Sequence, residues 1–553
     1  MRKRIERLLD GALASARQAG EIVGETSSAL GTTEVPQSRE HGDLASNLAL
    51  GMARAERKAP RAIAEILVRH LDDPDRVIDA TEIAGPGFIN FRLSDRFWHE
   101  ELATLLADPT LGIERFGSGR RVQVEFVSAN PTGPLTVGHG RNAVLGDTIA
   151  RLLEAVGCDV EREYYFNNAG RQMKVLGESV RARYLELAGK AAAFPEDGYQ
   201  GAYIGEIARS LLEEEGDRLA GEGIEPFRAR AEREIFADIR RTQSRLGIEF
   251  DSYFNEDVLY SSGAVDAVVA ELDRRGLIAR REGAVWLIGE AVGLPKDRVL
   301  VKSSGEPAYR LPDIAYHQNK LARGYDELID VLGADHIEEH REVLAALAAL
   351  GLPTTRVRPV IYQFVTLTRH GEQVKMSTRK ATYVTVDELV DEVGIDATRF
   401  FFLIRKSDSH LEFDLELAKK RSNDNPVYYV QYAHARISNL FGQARLQDVA
   451  PPSSSLDAAA LDPLRSPEEF ELIRALSTFG EVVGQAAAEL EPHRVVFFLQ
   501  DLAAALHRFY NRHRVLGDEV AARVTARLAL LEAVQRVLRA GLGVLGVTAP
   551  ERM

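Results

Sequence analysis

Cysteine is almost missing from this chain of 553 residues, where Cys158 is the only one. A single thiol excludes an internal disulfide and the thiolate-rich structural zinc sites. Long apolar runs are missing too. The longest uninterrupted stretch, 343–352, is far too short to span a bilayer, so no membrane partner is expected. Positive charge is in deficit, with 69 Lys and Arg against 83 Asp and Glu and a formal net charge of −14. That balance speaks against nucleic-acid binding over the whole surface. It leaves room for a local basic face, because charges are screened beyond about 8–10 Å. The start, Met1-Arg2-Lys3-Arg4, has the charge of a signal peptide but not its apolar core, which Glu6 and Asp10 interrupt. Ile5, Leu8, Leu9, Ala12, Leu13 and Ala16 form a helical stripe instead, predicting a first helix that belongs to the fold of a cytoplasmic protein.

What is present is a globular composition, 45% hydrophobic and 27% charged, in a length that predicts several domains. His41-Gly42-Asp43 precedes the apolar run Leu44, Leu48, Leu50 and Met52, so Asp43 reads as a helix cap. Pro60 opens a second helix, and 88–93 alternates like a strand after Gly85-Pro86-Gly87. A new unit follows Gly117-Ser118-Gly119. Val122, Val124 and Phe126 alternate with Gln123, Glu125 and Val127, and a Pro/Gly loop leads into a helix over about 139–153. Residues 160–166 then read as a second strand, an order that predicts a parallel sheet. Residues of about 170–250 read as a charged, helical insertion. Later strands are predicted over 328–332 and 360–365, and the pattern from about 415 onward is helical, with a loop near Pro451-Pro452.

The segment Glu125-Phe126-Val127-Ser128-Ala129-Asn130-Pro131-Thr132-Gly133-Pro134-Leu135-Thr136-Val137-Gly138-His139-Gly140 is the most informative. A strand ending in a loop that feeds a helix N-terminus offers free N–H groups and a dipole to an anion. Gly138 lets a nucleotide approach the backbone, and His139 supplies a donor to phosphate oxygens. A rival pattern covers the same residues: Gly138-x-Gly140-x-x-Ala143, with Glu161 or Glu163 about twenty residues on, satisfies the dinucleotide fingerprint of dehydrogenases. That fingerprint wants its glycines directly after the strand, whereas 130–136 intervene. Lys375-Met376-Ser377-Thr378-Arg379-Lys380 follows a predicted strand and the His370-Gly371 turn, and alone it reads as a solvated basic turn. His336 and His340 stand four apart, but Ile337 occupies the position where H-E-x-x-H needs Glu, so neither zinc nor another protein-held metal is predicted.

These two motifs, in this order and more than two hundred residues apart, resemble the HIGH and KMSKS elements of class I aminoacyl-tRNA synthetases. The words around the first are similar to those of the arginine-specific family. Thr136 stands where HIGH has its first histidine; a hydroxyl can donate to a phosphate oxygen but carries no charge. The resemblance runs from His41-Gly42-Asp43 to Met553 and is most specific in 124–176 and 303–380. It implies an N-terminal α/β domain over 1–112 that touches the tRNA elbow, with Asn90 among the contacts. It implies further a Rossmann-type α/β catalytic domain over 113–405 and an all-α anticodon-binding domain over 406–553. The implied reaction joins L-arginine to tRNA(Arg) through an adenylate made from ATP, with Mg2+. ATP would lie along 129–139, bordered by Asp335, His336, Lys375, Met376 and Ser377, with His139, Thr136, Lys375 and Ser377 in catalysis. Glu125, Tyr309 and Asp313 would hold the guanidinium and Asn130 the amino-acid backbone. Pro312 reads as the first residue of a helix with Asp313 in its first turn. Tyr429, Tyr432 and the terminal Met553 would meet tRNA beside a basic, aromatic patch at 507–514, while Tyr428 and Phe509 are assigned to the core. A monomer is expected.

Overall fold

The structure is a computed structural model that describes residues 1–24, 32–36, 38–168, 170–374, 384–449, 456–518 and 520–553. At its centre lies a five-stranded sheet in the order Val357–Tyr362, Glu327–Gly333, Arg121–Glu125, Asp159–Phe166, Ser252–Asn255. Every pairing in it is parallel. The middle strand buries four residues in succession, Val122 to Glu125, as a parallel sheet covered on both faces requires. The Val137–Ala155 helix forms the crossover to Asp159–Phe166, starting two residues earlier than the sequence suggests. Gly146 lets this helix lie against Phe126, whose ring would collide with a Cβ at that position.

The region 170–250 contains three helices, Arg171–Leu187, Ala202–Glu215 and Glu225–Arg245. The strand expected at 360–365 is two strands, Val357–Tyr362 and Val365–Arg369. Between them Gln363 is drawn out of line, its N–H donating to Ser407 and its carbonyl accepting from Arg141.

Near the N-terminus a four-stranded antiparallel sheet orders Thr33–Glu34, Leu44–Ser46, Phe88–Leu93 and Ile78–Ala84. Pro60 opens the Pro60–Arg69 helix as expected. Asp43 is not a helix cap. Leu44–Ser46 pairs as a strand with Phe88–Leu93, and Asp43 serves that junction by accepting from Leu93 N (2.8 Å) and from Arg474 Nε (2.7 Å). The last third is helical, with Pro426–Leu446, Pro467–Ser477, Phe479–Glu489, His493–Arg512 and Ala521–Val544. No described helix is long and apolar enough to cross a membrane.

One apolar core runs without a break from Ile5 through the sheet to Val547. A buried guanidinium reinforces the joint. Arg399, fully excluded from solvent, donates to Asp147 Oδ2 (2.6 Å), to the Leu246 carbonyl (2.9 Å) and to the Leu545 carbonyl (3.0 Å). It thereby links the crossover helix, the end of the helical insertion and the C-terminal tail. Breaking one side of a buried ion pair costs about 3 kcal/mol or more, and Asp147 keeps Arg151 as a partner. Arg399→Met should therefore lower unfolding stability by about 3 kcal/mol, read from denaturant midpoints; a change below about 1 kcal/mol would contradict this role.

Candidate active site

The site forms at the carboxyl ends of the parallel strands, where open α/β sheets gather ligands. Directly after Glu125 the chain bends through two successive residues in the left-handed region, Val127 (φ 66°) and Ser128 (φ 40°). A β-branched residue there is strained, and such strain persists only where surrounding contacts impose it. Here Val127 N donates to Asn142 Oδ1 (2.6 Å) and Ser128 Oγ donates to Glu125 Oε1 (2.9 Å). The bend sends the chain through Pro131 to Leu135 and on to the N-terminus of the Val137–Ala155 helix, whose positive dipole end can serve an anion.

Thr136 is the N-cap of that helix, and its N–H donates to His139 Nδ1 at 3.2 Å. Burial pushes the His139 pKa down, so the ring is neutral near pH 7. With Nδ1 accepting, its proton sits on Nε2, leaving a neutral donor for a phosphate oxygen. Lys375, Met376 and Ser377 lie outside the described residues. The chain that follows them is held against the same helix start: Val137 N donates to Val384 O (3.3 Å), and Val386 N to Leu135 O (2.9 Å). Gly138 and Gly140 lie inside the helix, and a Cβ at Gly140 would press on Val386. Glu163 is taken by Arg323 (2.5 and 2.7 Å), Tyr316 and Ser252. Glu161, the other acidic candidate, accepts from Ser252 and Tyr325, so the dehydrogenase fingerprint fails on its glycines and on both acidic residues.

Beside this helix a small cleft is lined by Glu125, Tyr165, Asp313, Tyr316, His336 and Glu339, among others. Asp313 lies in the first turn of the Arg310–Ala322 helix, as expected. Pro312 is that helix's third residue, not its first, because the helix already begins at Arg310 with Tyr309 as N-cap. Burial pushes the Asp313 carboxyl up to about 7; His317 opposes this, while Glu339, Glu256 and Glu125 add to it. Asp335 and His336 are exposed at the rim, and the neighbouring Glu339 raises the His336 pKa. Tyr309 is 62% exposed and lines an adjoining outer cleft with Glu256, Tyr260, Lys302 and Pro312. Asn130 is exposed and lines neither cleft.

Two functional candidates escaped the sequence reading. Glu256, 5% exposed, accepts from Tyr165 OH (2.8 Å) and Tyr260 OH (3.2 Å), and burial raises its pKa. It directly follows the Ser252–Asn255 edge strand, so reading 252–255 as a strand would have flagged it. Lys320 is fully buried and donates to Glu125 Oε2 at 2.7 Å. Its position seven residues after Asp313, on the same helix face, was the available signal.

Away from the cleft, Asn90 is 4% exposed in the middle of its strand and its amide nitrogen has no hydrogen-bond partner. The Pro426–Leu446 helix turns Tyr429 and Tyr432 toward His507, with ring centroids at 4.6 and 5.7 Å. Arg436 lies over the Tyr510 ring at 4.2 Å. Phe509 is core, as expected, but Tyr428 is half-buried and stacks on Tyr432 instead. Met553 is 50% exposed.

Residues 101–410 match the family model described as tRNA synthetases class I (R), catalytic domain, so the sheet and its cleft are those of a class I tRNA synthetase. The flanks are more particular. Residues 3–93 match the arginyl tRNA synthetase N terminal domain and 430–553 the DALR anticodon binding domain. The arginine–tRNA ligase of Desulfotalea psychrophila is 50% identical over 94% of both chains, and that of Chlorobium phaeovibrioides 48% identical over 94% of this chain and 95% of its own. The solved arginyl-tRNA synthetase of Thermus thermophilus superposes with a TM-score of 0.74 at 25% identity, covering 100% of each chain. The chain belongs to the arginyl-tRNA synthetase family.

A cation entering the cleft needs Asp313 ionised. Below about pH 7 the empty cleft holds this carboxyl protonated. A protonated His336 adds repulsion in the same direction. Arginine affinity should therefore be flat above pH 8 and weaken toward about tenfold per pH unit below 7, measured by calorimetric titration. Affinity that is constant from pH 5.5 to 8.5 would remove Asp313 from the cation site.

Proposed function

We propose that the protein is an arginine–tRNA ligase, activating L-arginine with ATP to arginyl-adenylate and passing the arginyl group to the terminal adenosine of tRNA(Arg). The observation that carries this is the convergence of Asp313, Glu256 and Glu125 on one pair of clefts beside the helix N-terminus at His139. Burial raises the pKa values of Asp313 and Glu256, marking these two as carboxyl groups that a cation would relieve, and a guanidinium fits the cleft as a planar fork of donors. The neighbouring helix N-terminus, through its dipole, and His139 Nε2 suit the phosphates of ATP.

In the first step a carboxylate oxygen of arginine attacks the α-phosphorus, the bond to the β-phosphate's bridging oxygen breaks, and pyrophosphate leaves. His139 Nε2–H and the Lys375 ammonium are assigned to the charge that gathers on that leaving group, and Thr136 and Ser377 to its oxygens. In the second step the ribose hydroxyl of tRNA attacks the adenylate carbonyl, AMP departs, and the hydroxyl proton goes with it. No covalent enzyme intermediate is needed, so positioning and electrostatics supply the catalysis. Mg2+, proposed as the companion of ATP, would neutralise phosphate charge. Among the described residues, the His and carboxylate group close enough to share an ion is His317, Asp330 and His340, and the Lys320 ammonium already bonds that carboxylate.

The amino-acid backbone is assigned to Asn130 and the outer guanidinium face to Tyr309. Tyr429, Tyr432 and Met553 are assigned to tRNA, where an aromatic face stacks on bases, and Asn90 to the tRNA elbow. A cytoplasmic monomer is part of the same proposal.

ATP–pyrophosphate exchange with each amino acid, tRNA present, tests the assignment. Arginine alone should support exchange; exchange with another amino acid in its place would overturn it. Lys375→Ala should slow adenylate formation by about 3–4 kcal/mol of barrier with arginine affinity nearly intact, in rapid-quench assays. An unchanged rate would reduce 375–380 to a surface turn.

A further inference from the structure

Beneath the cleft lies a charge arrangement that the proposed reaction leaves unused. Lys320 Nζ, with no solvent exposure, donates to Glu125 Oε2 (2.7 Å) and to Asp330 Oδ1, and lies 4.9 Å from the centre of the Tyr316 ring. A buried ammonium is costly unless paired and hydrogen-bonded, and here two carboxylates satisfy it. Asp330 Oδ2 also receives His317 Nε2 and His340 Nε2, each at 3.0 Å. The other nitrogen of His317, Nδ1, is 2.9 Å from the Asp313 carbonyl, which can only accept. Both ring nitrogens of His317 therefore carry hydrogen, making it an imidazolium, while His340 Nε2 supplies one further N–H to Asp330.

Glu125 and Asp330 are balanced by Lys320 and His317, and Glu339 has His336 beside it, which leaves Asp313 and Glu256 as the carboxylates whose charge an entering cation must meet. Glu125 then faces the cleft already compensated. Its Oε2 is fixed by Lys320 and its Oε1 by Ser128, so each oxygen has lone-pair capacity left in a set direction.

We propose that Lys320 is a positioning residue for substrate selection: its ammonium neutralises and orients Glu125, so that this carboxylate reads the shape of a guanidinium fork and does not attract a compact ammonium such as that of lysine. An internal ammonium in the place that a substrate ammonium would seek works as an occupied seat. Without it, Glu125 and Asp330 would draw any small cation, and the distinction between a planar fork and a point charge would fade.

The inference rests on the arginine reading of the cleft, and the two fail separately. If the wild-type protein forms no adenylate with arginine, that reading fails. The inference is judged on K320M in an enzyme that does. Adenylate formation is measured with arginine and with lysine, varying each amino acid and ATP in turn. K320M should raise the arginine KM by about tenfold or more, keep the ATP KM within about twofold, and narrow the arginine-to-lysine ratio of kcat/KM by about tenfold or more. A purely structural role would move both KM values and thermal stability together without changing that ratio. An arginine KM and selectivity ratio like those of wild type would overturn the proposal. If K320M does not fold, K320Q, which keeps a hydrogen-bonding head without the charge and leaves Glu125 in place, is read by the same two criteria. Failure of both variants to fold would assign Lys320 to stability alone and overturn the proposal as well.

Discussion

The Asp330 carboxylate is the point on which the candidate site depends. It is 1% exposed, on the strand next to Arg121–Glu125, and gathers Lys320, His317 and His340 from two helices. Through Lys320 it fixes Glu125; through His317 it steadies the carbonyl of Asp313; through His340 it anchors the Ile337–Ala349 helix that carries Glu339. Lys320 and His317 hold Asp330 well below the usual carboxylate range, the attraction overcoming a large desolvation penalty. Such a network is favourable only when every member is satisfied, so it also rigidifies the floor of the cleft. The carboxylates above it can then stay under-compensated until a cation arrives.

The nucleotide side is built by a different constraint, the strained bend at Val127 and Ser128. That bend turns the chain so that the loop to Thr136 meets the helix start, while Ser128 holds Glu125. The pairing of Leu135 and Val137 with Val384 and Val386 attaches the chain downstream of the lysine-bearing segment to the same helix start. Residues just downstream of the second motif in the sequence are thereby joined to the helix start that follows the first. On the far side, Arg399 ties the same crossover helix to the C-terminal tail, and His99 Nε2 bonds the Leu464 carbonyl at 3.0 Å, joining the N-terminal region to the helical third. Ligands at either end therefore act on one continuous packed body.

Local signals reported much of this fold. The apolar alternation at 122–126, the proline at position 60 and the helical stripe of 5–16 each correspond to an element, because each depends on nearby residues alone. Asp43 misled because its partners, Leu93 and Arg474, are distant in the chain, and a strand pairing outcompeted a cap. Pro312 misled by two residues because proline is tolerated throughout a helix's first turn, and this helix starts at Arg310. Asp313 was legible from family resemblance, whereas Glu256 and Lys320 were not. Lys320 bonds a residue 195 positions away, and a lone lysine in a helix gives no hint that it is fully buried. The burial of Asn90 in mid-strand was equally out of reach of local signals.

The central claim is that uncompensated carboxylates, led by Asp313, select arginine by its positive charge. Citrulline has nearly the same shape with a neutral ureido head, so its affinity compared with that of arginine at pH 8, by calorimetric titration of the unmodified protein, isolates the charge. Losing the charged partner of a buried pair costs about 2–5 kcal/mol, so citrulline should bind some thirtyfold to several thousandfold more weakly. Equal affinity for the two would contradict the account, leaving shape alone to explain selection.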